Sequence, residues 1–311
     1  MTDAAVHTRG LVKDYGRIRA LRGVDLDVRH GEIFGFLGPN GAGKTTLIRV
    51  LLDVLRPTDG QVRVLGADPR AAGPALRARI GYLPGELLLG GRRTAGELLA
   101  YLARLRGNGG AERIEPLAER LALDLDRPIR KLSRGNKQKV GIVQAFAPQP
   151  ELLVLDEPTS GLDPLMQQEV LALAREARAE GATVFFSSHV LSEVQELADR
   201  VAIIREGAIV DVDEVGALRR RAGQDVEVRF ASPVAPEAFV GLPGTRDVAV
   251  DGDTIRGLLV GDPDPLLKAV AAHRAVAVSI ADRELEDLFL DFYRSAPHEP
   301  PSGRKEAADA R

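Results

Sequence analysis

Two hydrophobic rhythms alternate along this chain of 311 residues. Short continuous apolar runs, Glu32 to Leu37, Leu152 to Leu155 and Thr183 to Ser187, predict strands buried on both faces. Ile80 to Leu83 predicts another strand, and the stretch from Val6 to Leu65 is β-rich around a loop and its helix. Between the runs, apolar residues recur at helical spacing. Leu47 to Leu52 predicts a buried helix, and Leu98, Leu99, Leu102 and Leu105 mark one face of another. That second helix opens on Thr94-Ala95-Gly96-Glu97, a capping box. Helical pattern extends from Thr94 to Gln149, with a second helix over Ala111 to Leu123 and a third from near Ser133. Gly66 to Pro74 is expected to be a break. Further helices are expected over Pro164 to Glu180, closed by Gly181, and over Leu191 to Asp199, before a hairpin turning at Glu206-Gly207. Strands alternating with helices predict an α/β fold: a parallel-sheet core with an antiparallel β part and a helical insertion at about 86–149.

The texture changes after Ala222-Gly223. Asp225 to Ala231 alternates like a strand, Pro236 to Leu242 fits a short helix, and Asp251-Gly252 predicts a hairpin between Arg246 to Val250 and Thr254 to Val260. A helix over Pro263 to His273, a strand over Val276 to Ala281 and an amphipathic helix over Arg283 to Arg294 complete the pattern. This β-α-β-β-α-β order predicts a small α+β domain of ferredoxin-like type. The expected domains are 1–222, 223–294 and a disordered polar tail, 295–311.

The candidate chemistry centres on Gly38-Pro39-Asn40-Gly41-Ala42-Gly43-Lys44-Thr45-Thr46, which fits the phosphate-loop pattern G-x-x-x-x-G-K-[ST] between a strand and a helix. Loop amides and the helix N-terminus suit a polyphosphate, Lys44 the β- and γ-phosphates, and the Thr45 hydroxyl Mg²⁺. Asp156 ends an apolar strand, where it can hold Mg²⁺ through water, and the adjacent Glu157 can polarise an attacking water. The plainer alternative is that both acids cap a strand end. His189 follows the strand at 184–188, at the sheet end where ligands collect.

Composition narrows the class. Cys 0 excludes disulfides and thiolate metal sites, and a net charge of −3 gives no basic field for nucleic acid. The absence of an apolar run long enough for a membrane span or a secretory leader makes a cytoplasmic protein the expectation.

Several ordered motifs together resemble the nucleotide-binding subunits of ATP-binding-cassette (ABC) transporters, over roughly Val6 to Val215. Val154-Leu155-Asp156-Glu157-Pro158-Thr159-Ser160-Gly161-Leu162-Asp163 resembles that family's Walker B segment and D-loop. Leu132-Ser133-Arg134-Gly135-Asn136 resembles its signature, His189 its switch histidine and Tyr15 the aromatic residue that stacks on adenine. Tyr15 also fits simple packing at a strand end, and Asp163 fits an N-cap of the Pro164 helix. The resemblance implies ATP and Mg²⁺ as cofactors and a head-to-tail homodimer in which Ser133 and Gly135 of one subunit meet the γ-phosphate on the other. It also implies a separately encoded membrane permease, with the chain on the inner face of the membrane. The C-terminal part is similar to the extension of ABC-2 type exporters, which implies export of a drug, antibiotic, lipid or similar compound. A soluble, non-transport ABC-type ATPase is the alternative. Two positions depart from the family pattern: Gly85 then Glu86 where Gln is usual, and Arg134 where Gly is usual. Leu87-Leu88-Leu89 fits either an interface with the permease or packing beneath the insertion.

Overall fold

A computed structural model describes residues 4–107 and 109–283. The chain forms two compact units that divide between Ala217 and Leu218.

In the first unit, β1 (Ala4–Tyr15) and β2 (Ile18–Arg29) form a long hairpin, followed by β3 (Ile33–Leu37), α1 (Lys44–Leu51), β4 (Asp59–Val64), α2 (Pro69–Ala78) and β5 (Ile80–Leu83). The helical insertion carries α3 (Ala95–Leu105), α4 (Ile114–Arg120) and α5 (Arg134–Phe146). Then come β6 (Leu152–Asp156), α6 (Pro164–Ala179), β7 (Thr183–Ser188), α7 (Leu191–Leu197), β8 (Arg200–Arg205) and β9 (Ala208–Glu214), after which α8 (Val215–Ala222) contains the division between the units. The strands make a three-stranded antiparallel sheet, β2-β1-β4, and a six-stranded sheet, β5-β6-β7-β3-β8-β9. The six-stranded sheet is parallel except for the β8–β9 hairpin.

The continuous apolar strands behave as their composition requires: every residue of β3, β6 and β7 is buried. Phe34, Phe36 and Phe185 pack across β3 and β7, with the Phe34 and Phe185 rings stacked 6.1 Å apart. Leu47, Ile48 and Leu51 of α1 join the same core. The capping box forms as expected: the Thr94 hydroxyl accepts from Glu97 N at 3.2 Å, and the Glu97 carboxylate accepts from Thr94 N at 2.9 Å.

One expected break is a helix. Over Gly66 to Pro74 the chain enters α2, because Asp68 caps its start by accepting from Arg70 N and Pro69 sits at N1. The disruptive signal is local: Gly73 takes φ 56 and ψ −136 ahead of Pro74, kinking the helix.

In the second unit, β10 (Gln224–Phe230), β11 (Thr245–Asp251), β12 (Thr254–Leu259) and β13 (Ala275–Asp282) form an antiparallel sheet in the order β11-β12-β10-β13, and α9 (Asp264–Ala271) joins β12 to β13. Val226, Val228 and Phe230 alternate into its core with Phe239 and Ile255. The helix expected over Pro236 to Leu242 shrinks to one 3₁₀ turn, Pro236–Ala238, ahead of Gly241 and Pro243. The expectations for a last helix past Arg283 and for the tail fall on 284–311, outside the described residues.

Candidate functional site

The phosphate loop runs from the end of β3 into α1. Gly38 and Gly43 are dictated by space. A Cβ on Gly38 would stand 2.4 Å from the Ile204 carbonyl oxygen, and Gly43, at φ 111, would place one 2.7 Å from that of Ala20. Pro39, Asn40 and Gly41 form the exposed crest, Ala42 is buried beneath it, and Thr45 and Thr46 open α1 half-buried. Among the described residues no side chain caps α1, which leaves its leading N–H groups to an anion. Lys44 is only 5% exposed, and its Nζ donates to the carbonyls of Gly38 at 2.6 Å and Pro39 at 3.2 Å.

The tips of β6 and β7 supply the acids. Asp156 is 2% exposed; its Oδ2 accepts from Thr45 Oγ1 at 2.9 Å and its Oδ1 from Ser187 Oγ at 2.5 Å. Glu157 follows in a left-handed conformation, φ 48, which a non-glycine residue adopts only when its surroundings enforce it. Its N–H is held by the Ser187 carbonyl at 3.2 Å and hydroxyl at 3.1 Å. This turn aims the Glu157 carboxylate between Lys44 and His189, with Lys44 Nζ 3.4 Å from Oε1 and His189 Nδ1 3.2 Å from Oε2. Burial, with a contribution from the Asp156 charge, pushes the nearby Tyr82 hydroxyl up to about 12. Gly85, where the usual Gln is missing, lies against Asp156: a Cβ there would sit 3.3 Å from the carboxyl carbon. Glu86 instead lines a groove beside β5.

The signature segment packs onto the D-loop. Ser133 caps α5, its hydroxyl accepting from Asn136 N at 3.3 Å, and the helix begins at Arg134. A Cβ on Gly135 would meet the Gly161 carbonyl oxygen at 2.8 Å, which fixes a glycine at the crossing. Arg134 reaches Ser160 Oγ at 3.4 Å. Asp163 caps α6 by accepting from Met166 N at 3.1 Å, with Pro164 at N1. Tyr15 stands apart at the tip of the β1–β2 hairpin, 43% exposed, with Lys13 Nζ 5.3 Å from its ring centre.

Three residues that the motifs did not single out tie these parts together. Ser187 binds both Asp156 and Glu157. Gln138, 5% exposed on α5, donates to the Pro158 carbonyl at 3.2 Å and joins the signature helix to the segment after Glu157. Glu193 on α7 accepts from both Thr159 and Ser188. Polar residues lodged among apolar ones were the available signal, notably Ser187-Ser188 ending a buried strand.

A groove of about 420 Å³ opens beside β5, lined among others by Tyr82, Leu87, Leu98, Leu102 and Arg106. Leu87 packs against Gly141 of α5, whereas Leu88 is 93% exposed, so the leucine run divides between packing and surface.

A loop of glycine amides between the central strand β3 and α1, facing an acid pair at the tip of β6 two strands away, defines a phosphate-loop nucleotide-binding protein. The family described as "ABC transporter" matches residues 21–160. The daunorubicin resistance ATP-binding protein DrrA3 of Streptomyces coeruleorubidus is 35% identical over 94% of this chain and 91% of its own length. The bacitracin transport ATP-binding protein BcrA of Enterococcus faecalis is 36% identical over 81% and 83%. Among solved structures, an ATP-binding subunit of an ABC transporter superposes with a TM-score of 0.65 at 31% identity, over 70% of this chain and 92% of that one. This chain belongs to the ABC transporter family as an ATP-binding, ATP-hydrolysing subunit.

Proposed function

We propose that two copies of this chain bind two ATP molecules head to tail and use their hydrolysis to drive a separately encoded exporter of a drug, antibiotic, lipid or similar compound. The convergence of Lys44, Glu157 and His189 within 3.4 Å carries this reading. The loop amides of 38–46 and Lys44 hold the phosphates, and Tyr15 stacks on adenine. Thr45 Oγ1 and Asp156 Oδ2, 2.9 Å apart, are hard oxygen donors that fit Mg²⁺. When bound, that ion offsets negative charge on the phosphates. Glu157 takes a proton from water as the water oxygen attacks the γ-phosphorus, and the β–γ bridging oxygen leaves with ADP. His189 steadies the γ-phosphate, while Ser133, Gly135 and Asp163 complete the opposite site across the dimer.

The names of the relatives, a daunorubicin resistance and a bacitracin transport protein, support export. The groove beside exposed Leu88 supports a membrane-protein partner over a soluble scaffold role. No helix among the described residues is long and apolar enough to cross a membrane, so we place the chain on the inner face through its permease. We further assign the ATPase domain to 1–222 and the sheet order β11-β12-β10-β13 to a ferredoxin-like unit over 223–294.

The Glu157→Gln variant tests the reading by light scattering with MgATP. The expected result is a stable ATP-bound dimer with turnover reduced at least a hundredfold. A variant that stays monomeric, or that hydrolyses ATP at the wild-type rate, refutes it.

A further inference from the structure

The β6–β7 ladder ends at Asp156 and Ser187, and the last backbone bond across it runs from Glu157 N to the Ser187 carbonyl. Beyond that point the two chains diverge, one into the D-loop and the other toward His189. Thr159 is two residues past Glu157, and Ser188 immediately precedes His189. Both are almost fully buried, at 4% and 1% exposed, and both hydroxyls point at one carboxylate. Thr159 Oγ1 donates to Glu193 Oε1, and Ser188 Oγ donates to Glu193 Oε2 at 2.6 Å. The Ser188 hydroxyl has a single proton, and the longer 3.2 Å approach to the Val190 carbonyl leaves it with the carboxylate. The same oxygen accepts from Val190 N at 2.9 Å, which fixes the turn containing His189.

We propose that Glu193 is a positioning residue for hydrolysis: its carboxylate clamps the segment after Glu157 to the strand end that presents His189. It carries on where the sheet pairing stops. Hydroxyl donors to an ionised acceptor make strong, short bonds, and two of them on one carboxylate fix its orientation. Gln138 also ties this segment, but to α5 through the Glu157 and Pro158 carbonyls. Among the described side-chain bonds, those of Glu193 link Thr159 to the His189 side. The clamp gives the left-handed Glu157 a fixed frame against which the histidine keeps its 3.2 Å spacing. The inference rests on the roles proposed above for Glu157 and His189.

Steady-state ATPase measurements on the full chain test it, with Glu193→Leu, Glu193→Gln, Thr159→Val and the Glu193→Leu/Thr159→Val double variant. Glu193→Leu is expected to lower kcat about ten- to a hundredfold and to leave KM for ATP within about twofold, because misplacement affects the chemical step more than phosphate binding. Glu193→Gln, which keeps the shape and one acceptor oxygen, is expected to recover most of the loss. The double variant is expected to be no slower than Glu193→Leu alone, as for two groups in one interaction. Unchanged kcat in Glu193→Leu overturns the clamp, as do additive losses or a KM that rises in step with the fall in kcat. If Glu193→Leu fails to fold, the near-isosteric Thr159→Val decides the matter by the same split of kcat against KM. Wild-type turnover in Glu157→Gln would overturn the assignment of the base, whereas the Glu193 series reports on the clamp.

Discussion

Ser187→Ala removes one oxygen from the floor of the site, and its effect can be worked out from the bonds present. The hydroxyl is fully buried, donates to Asp156 Oδ1 at 2.5 Å and accepts from Glu157 N at 3.1 Å. The second bond is backed up, since Glu157 N also reaches the Ser187 carbonyl at 3.2 Å. The first is not: among the described residues Asp156 keeps only the Thr45 hydroxyl on its other oxygen. A hydrogen bond to a charged, buried acceptor is worth about 1.5–3 kcal/mol. For a domain of this size that corresponds to a fall in Tm of roughly 3–12 °C. Differential scanning calorimetry without nucleotide measures this directly. ATPase should fall as well, because Asp156 loses the partner that fixes its carboxylate plane. Ser187→Cys, a near-isosteric but weak donor, should lie between the two. A Ser187→Ala protein that melts within about 1 °C of wild type and hydrolyses ATP normally would refute the idea that this hydroxyl orders the acid pair.

Two further substitutions follow from the same kind of reasoning. Gly135→Ala drives a methyl to 2.8 Å from the Gly161 carbonyl oxygen, an overpacking cost of about 1–3 kcal/mol; ATPase should drop while nucleotide binding to the monomer, measured by calorimetry, is retained. Arg120 of α4 bonds Glu169 and Glu176 of α6, with Nη2 2.7 Å from Glu176 Oε1, and holds the Glu176 carboxyl below its usual 4.5. A lowered folded-state value means stability present above about pH 4.5 and lost as pH falls further. Arg120→Met should therefore cost about 0.5–1 kcal/mol at neutral pH, discounted for solvent exposure, and the difference in Tm from wild type should close in acid.

Much of the site could be read in the sequence because its parts are local. The phosphate loop, the Asp156-Glu157 pair and the Thr94 capping box each lie within a few consecutive residues, so spacing alone specifies their geometry. Strands β3, β6 and β7 were equally legible, since burial on both faces leaves an unbroken apolar run. Ser187, Gln138 and Glu193 were not, because Asp156, Glu157, Pro158 and Thr159 lie 19 to 34 residues from them and only the assembled fold brings them together. The kinked α2 was hidden for the opposite reason: Gly73-Pro74 is a strong local signal, but a capped first turn and the burial of Leu76 outweigh it.

The strand that floors the groove also ends at the acids. Tyr82 faces the groove, and Gly85, three residues further on, touches Asp156. An extended chain spans at most about 3.6 Å per residue, so roughly 10 Å of backbone separates the two. The groove and the acids thus share one short stretch of backbone, the strand β5 and the bend at Gly85 that follows it.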